Sequence, residues 1–342
     1  MKLVECPVKS NNLQLLRFVA AILVIVSHSF SISTGTRVQE WLSFITRDQI
    51  SLGGVAVSIF FCAGGFLIAK SVLRVKNGVK YFKARALRIF PALVVVVLIT
   101  AFVLGPIVTE YGFREYFSNV GVYKYLLNAV FVLQHNLPGV FENNPYLSTV
   151  NGSLWTLPIE FLCYIGCFVM WKADMLKKKN ILWSIPIVAI GTAGLYFVIQ
   201  RMQIEVLMSA IRPSLLFYMG ILCYIYRDKI EFTPFRALLS FAILIATGFV
   251  GVLDLGMVLA FPYLLLYVCF ALPQVSDKIA KLGNLSYGMY LCGFPIQQTI
   301  VMLHGGDMSP FLNVIISTPL AILGGILIYY MIEVPIIKIE KR

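Results

Sequence analysis

The sequence predicts an all-α integral membrane protein of about ten transmembrane helices with both termini cytoplasmic. Three observations carry this. Of 342 residues, 59% are hydrophobic and 13% charged, with a mean hydropathy of +0.85, more apolar than the surface of a soluble domain accommodates. Ten apolar stretches approach the roughly 20 residues that cross a hydrocarbon core about 30 Å thick. They run approximately over 13–33, 51–69, 89–109, 153–171, 181–200, 207–226, 237–252, 256–273, 285–303 and 311–333. None alternates with period two, so helices and not barrel strands are expected. Finally, with the amino terminus inside, 22 of the 28 lysines and arginines fall in cytoplasmic segments, the positive-inside pattern. The net charge of +12 is therefore mostly topology, and no nucleic-acid partner is expected.

The first stretch, NNLQLLRFVAAILVIVSHSF, begins too late and runs too long for a cleaved leader and reads as a retained helix. It carries Arg17 and His28, eleven residues apart. At about 100° and 1.5 Å per residue they share one helix face, about 16 Å apart along the axis. Ionisable groups within spans are costly and usually functional, which marks the imidazole as a candidate catalytic group.

The second stretch, SLGGVAVSIFFCAGGFLIAK, has glycine pairs at 53–54 and 64–65, where a helix or an extended ligand approaches the backbone closely. The third opens with KARALRIFPAL, which puts Arg85 and Arg88 about one turn apart before Pro91. Two guanidiniums on one face suit bidentate phosphate recognition better than lysines do. Between the third and fourth spans, residues 110–152 form the longest polar interval, predicted to be extracytoplasmic, with an apolar piece at 125–134 too short to span. Loops of this length are often functional.

The fourth stretch, NGSLWTLPIEFLCY, contains Glu160, an acid surrounded by apolar sequence that has to be paired, protonated or functional. Arg212 in SAIRPSLLFY is the other charge expected within a span, and a structural Glu160–Arg212 pair is one reading of both. Six of the seven cysteines, at 62, 163, 167, 223, 269 and 292, fall in spans with no CxxC spacing and no histidine cluster, so no metal site is expected. No hydrophilic stretch is long enough for a second domain, and residues 1–342 read as one membrane unit.

The ordered set of Arg17, ten residues and His28, then GGVAVSIFFCAGGFLI, Arg85 and Arg88 before Pro91, SLWTLPIE, LSYGMYLCGFP at 285–295 and EVP at 333–335 resembles the acyltransferase family 3 membrane enzymes. The resemblance covers nearly the whole chain. It implies a ten-helix protein of the cell (cytoplasmic) membrane that takes an acyl group, most commonly acetyl, from cytoplasmic acyl-CoA. The acceptor implied is a hydroxyl of a cell-surface or lipid-linked glycan. By motif match it implies that His28 is the catalytic histidine and Glu160 a further site acid, with Arg17, Arg85, Arg88, Gly64 and Gly65 toward the acyl-CoA. Trp155, Tyr164, Arg212 and Tyr287 are expected toward substrate.

Two departures stand out. Gly64 replaces the serine of the SGFLI pattern. Cys292 and Gly293 stand where many relatives carry a second histidine, which leaves His28 to act as base alone. An appended secreted esterase-like domain, present in some relatives, is not expected.

The mechanism implied places the CoA phosphates at a basic mouth of Arg17, Arg85 and Arg88, with the pantetheine arm extending toward His28. The imidazole removes the acceptor's proton as its oxygen attacks the thioester, with Glu160 orienting or stabilising the ring. An acyl-histidine intermediate is an open variant. From a different class, a transporter or flippase for a lipid-linked saccharide also places buried charges in a polar cavity, and a non-catalytic scaffold is a third reading. His135 and His304, in predicted outer loops, are candidate acceptor contacts but read more simply as solvated residues.

Overall fold

In the computed structural model, which describes residues 2–5, 11–35, 38–202, 205–275 and 284–340, every one of the ten apolar stretches is helical. The basic residues Lys9, Arg37, Lys278, Lys281, Lys341 and Arg342 used in the charge count lie outside the described residues. Among the described residues there are no strands, only isolated bridges between Lys2 and Glu231 and between Thr109 and Val140.

Among the described residues, seven helices are long and apolar enough to cross a membrane: α1 (Leu13–Thr34), α2 (Leu52–Val75), α3 (Gly78–Val108), α4 (Gly152–Lys172), α5 (Ile181–Arg201), α6 (Met208–Ile225) and, after three shorter or less apolar elements, α10 (Pro310–Lys338). Those three are α7 (Pro234–Val250), the bent pair α8 (Leu253–Leu259 and Phe261–Phe270, 46° apart) and α9 (Leu285–Leu303). The α8 pair makes an eighth span if taken as one. The protein is a multi-pass membrane protein.

Helix ends follow local chemistry. Ser51 caps α2 by accepting from the Gly54 N–H at 2.9 Å, and Lys76 ends it in the left-handed region at φ 48°. Asn77 then caps α3 through the Lys80 N–H at 3.0 Å, so the chain reverses within two residues and α2 and α3 are antiparallel. Asn151 starts α4: its Oδ1 accepts from the Ser153 N–H and hydroxyl while its amide donates to Leu291 O at 2.9 Å. That last bond fixes the start of α4 against α9.

The centre is built by α2, which packs along α1 on one side and α6 on the other, with α9 and α10 closing against α1. The α2–α6 approach depends on glycine. A Cβ on Gly65 would overlap the carbonyl oxygen of Phe217, and one on Gly220 that of Cys62. Either Gly65→Val or Gly220→Val is expected to cost about 1–3 kcal/mol through backbone displacement, read as a lower thermal midpoint of the detergent-purified protein. An unchanged midpoint would show that the two helices separate freely. By contrast, α5 is peripheral, with Trp183, Ile190 and Phe197 each at least 70% exposed, as expected for side chains in contact with lipid.

The long interval after α3 folds into three short helices, Phe113–Ser118, Val120–Tyr125 and Leu126–Val130, around buried Tyr116 and Tyr125. It is tied to the spans at several points. α3 contains a π turn, Thr100–Leu104, just before Pro106, which brings no N–H, and the Tyr116 hydroxyl donates to Ala101 O there at 2.8 Å. Buried Gln298 of α9 accepts from Asn144 at 2.7 Å and donates to Tyr146 O and Thr149 O at 2.9 and 2.8 Å. The segment is thus folded and tied to both α3 and α9.

Candidate functional site

Two cavities are stacked along the central helices. One, of about 900 Å³ including its open mouth, is lined by Arg17, Arg85 and Arg88 together with Glu160, Tyr164 and Tyr287. The other, of about 1600 Å³, is lined by His28, Trp155 and Arg212 with a polar rim of Ser27, Gln39, Glu40, Asp48 and Ser51. The stacking follows from helix geometry. On α1, Arg17 belongs to the first cavity and Val24, Ser27, His28 and Ser31 to the second. On α2, running the other way, residues 51–57 line the second and 57–68 the first; on α4, Trp155 lines the second and Thr156 to Tyr164 the first. The about 16 Å rise between Arg17 and His28 is what sets them in different chambers.

In the basic cavity the guanidiniums are held differently. Arg85 donates to Tyr81 O at 3.2 Å and to the Ser71 hydroxyl at 2.9 Å and lies over the Tyr81 ring, 4.7 Å from its centroid. Arg17 lies over Phe60 at 5.9 Å. Arg88 is exposed on the cavity wall. Arg17 and Arg88 repel one another, and the opposing charges nearby are Glu160 and Glu333. Clustered arginines are chemically suited to an anion such as a phosphate.

In the polar cavity, no hydrogen bond or ion pair engages the His28 imidazole among the described residues; its ring meets Phe294 edge-on at 5.1 Å. Both ring nitrogens are thus left for a bound molecule. Such a ring can accept a proton from a hydroxyl and return it. Gly54 makes room for Arg212, whose Nη2 is 2.9 Å from where a Cβ would stand. Arg212 donates to Gln49 O at 3.1 Å and pairs with Asp254 at 2.8 Å.

Several expectations are corrected. Glu160 does not orient His28: it lies in the basic cavity, where its Oε1 accepts from the Tyr164 hydroxyl, because it sits about one turn beyond the Trp155–Thr156 boundary on α4. The Glu160–Arg212 pair does not form either, since Arg212 reaches Asp254 from the far chamber. Gly65 packs against the backbone of Phe217 and not toward the cavity, whereas Gly64 does line it. The four residues expected toward substrate divide: Trp155 and Arg212 line the polar cavity, Tyr164 and Tyr287 the basic one, where the Tyr287 hydroxyl donates to Ile89 O at 2.8 Å. Cys292 and Gly293 line neither. His135 and His304 are exposed, the latter with Nδ1 2.7 Å from Asp307 O, and line neither cavity.

Glu333 escaped the sequence reading as a site residue, although it stands in the EVP motif. Its Oε1 is buried without a hydrogen bond among the described residues, and its charge is within electrostatic reach of Arg17 and Arg88, with no ion pair to either. An acid inside the apolar run IYYMIEVP was the available signal. Tyr290, which lines both cavities, was likewise not singled out.

Comparison with known proteins gives a family model described as an acyltransferase domain, the third of that designation, matching residues 10–330. The chain is 30% identical over 310 residues to an O-acetyl transferase of Shigella phage Sf6, a match covering 87% of this chain and 88% of that protein. It is 24% identical over 325 residues to Nodulation protein 10 of Rhizobium leguminosarum bv. viciae, covering 86% and 84%. No solved structure matches.

Proposed function

Because this chain belongs to the acyltransferase-3 family and is a membrane acyltransferase, we propose that it moves an acetyl group from cytoplasmic acetyl-CoA to a hydroxyl of a cell-surface or lipid-linked glycan. Membership in an enzyme family sets aside the exporter and scaffold readings. The observation that carries the reading is the stacking of a three-arginine cavity on a polar cavity containing an unengaged imidazole. The O-acetyl transferase relative supports acetyl as the group moved.

The basic cavity takes the donor. Phosphates cannot enter hydrocarbon, so Arg17, Arg85 and Arg88 hold them at the mouth while the pantetheine arm runs inward along Gly64. The weight of basic residues on the Arg85 side supports a cytoplasmic opening and both termini inside, within a cell membrane. The polar cavity takes the acceptor, whose hydroxyls suit a rim of serines, amides and carboxylates beside Trp155 and Tyr146.

His28 takes the proton from the acceptor oxygen as that oxygen bonds to the thioester carbonyl. The carbon–sulfur bond then breaks, and the imidazolium returns the proton to the departing thiolate. Glu160 and Glu333 belong to the donor side, where their negative charge offsets part of the repulsion between Arg17 and Arg88. We read residues 1–342 as one catalytic unit with no metal in the reaction.

Membranes containing the protein, given acetyl-CoA radiolabelled in the acetyl group, are expected to transfer label to extractable polysaccharide in a base-labile ester. Label found only in free acetate or protein would overturn the assignment of a glycan acceptor.

A further inference from the structure

Of all the residues that line the two cavities, Val57 of α2 and Tyr290 of α9 alone belong to both. They stand where the arginine chamber and the His28 chamber meet. The two residues differ in how they are tethered. The Tyr290 hydroxyl donates to Ser153 O at 2.6 Å and lies 2.6 Å from the Thr156 hydroxyl, while its carbonyl oxygen lies 3.1 Å from the Ser153 hydroxyl, whose proton is shared with Asn151 Oδ1. Phe60 backs the ring edge-on at 6.2 Å. Tyr290 is therefore pinned to the first turn of α4 from two sides and buried. Val57 is a short β-branched side chain with no polar tether, half-buried and lining the same two cavities.

The geometry points to Val57 and Tyr290 as the filter that sets acyl-chain length. This rests on the reading that the donor occupies the basic cavity and the acceptor the polar one. A thioester held by the arginines reaches the imidazole only by passing its acyl carbons between an immobile ring and an isopropyl group. Tyr290 fixes one wall, and the volume at position 57 decides how many carbons fit. An apolar slot discriminates by about 10- to 200-fold per methylene, which is enough to hold the enzyme to short acyl groups.

The test compares acetyl-CoA with butyryl-CoA, both radiolabelled in the acyl group, in membranes carrying the endogenous acceptor. Val57→Ala is expected to raise the butyryl-to-acetyl ratio of kcat/KM by at least about tenfold, since two methyl groups leave the slot. Val57→Phe is expected to close it, so that transfer from both donors is lost while purified protein still binds acetyl-CoA at its arginines. An unchanged ratio in Val57→Ala overturns the filter, as does wild-type transfer by Val57→Phe; should the phenylalanine variant fail to bind donor, the alanine ratio decides. The unaltered protein separates this inference from its premise. If it shows no His28-dependent transfer from acetyl-CoA, the donor reading fails and the filter with it; if that transfer is present and the ratio unmoved, only the filter fails.

Discussion

His28→Ala is expected to reduce acyl transfer by about 10²- to 10⁴-fold while leaving acetyl-CoA binding within a few-fold of the unaltered protein. The split follows from the two chambers. The imidazole lines the polar cavity, and the three arginines line the other. Removal of the ring takes away an imidazole with no hydrogen-bond partner among the described residues from the polar cavity, and leaves the lining of the arginine cavity in place. Structural damage should be small, because the ring makes an edge contact with Phe294 and no hydrogen bond. The measurement is label transfer in membranes alongside acetyl-CoA affinity of the purified variant. Transfer at the wild-type rate would remove His28 from the chemistry, and a parallel loss of donor binding would show that the chambers are not independent.

Arg88→Ala should give the opposite signature: a donor affinity weakened about tenfold to a hundredfold, with maximal transfer at saturating acetyl-CoA changed much less. A hydrogen bond to a charged group contributes about 1.5–3 kcal/mol, which sets the size of the effect. Arg88 is the clearest test because it is exposed on the cavity wall and carries no hydrogen bond that its loss would orphan, whereas Arg85 is bonded to Tyr81 O and Ser71. Arg88→Lys should recover only part of the affinity, since an ammonium cannot bind a phosphate bidentately. Saturation curves with acetyl-CoA separate the two parameters. If the KM for acetyl-CoA does not move, Arg88 is an ordinary anchoring residue at the helix end.

The site was legible in the sequence where it depends on a single helix, and illegible where it depends on which helices meet. Arg17 and His28 were found because one helix face and its rise can be computed from spacing alone. Arg85 and Arg88 were found for the same reason. Apolar surroundings mark Glu160 as a candidate, but they do not reveal its partner: Tyr164, one turn along its own helix, donates to it, and it engages neither His28 nor Arg212. Glu333 went unnamed because its meaning comes from two arginines more than two hundred positions away in the chain.

Composition, run length and charge placement by themselves determined that this is a helical membrane protein, where its helices lie, and that Arg17 and His28 lie at different depths of one helix. These properties are local, set by transfer of side chains into hydrocarbon and by the fixed rise of a helix. Only tertiary structure decided that the depths are separate chambers, that Gly65 serves packing against Phe217, and that Val57 and Tyr290 stand at the junction. Within lipid, apolar side chains gain little by choosing one helix over another, so small residues and buried polar bonds such as Tyr290 to Ser153 select the neighbours. Those contacts join segments far apart in the chain, and no periodicity in the sequence records them.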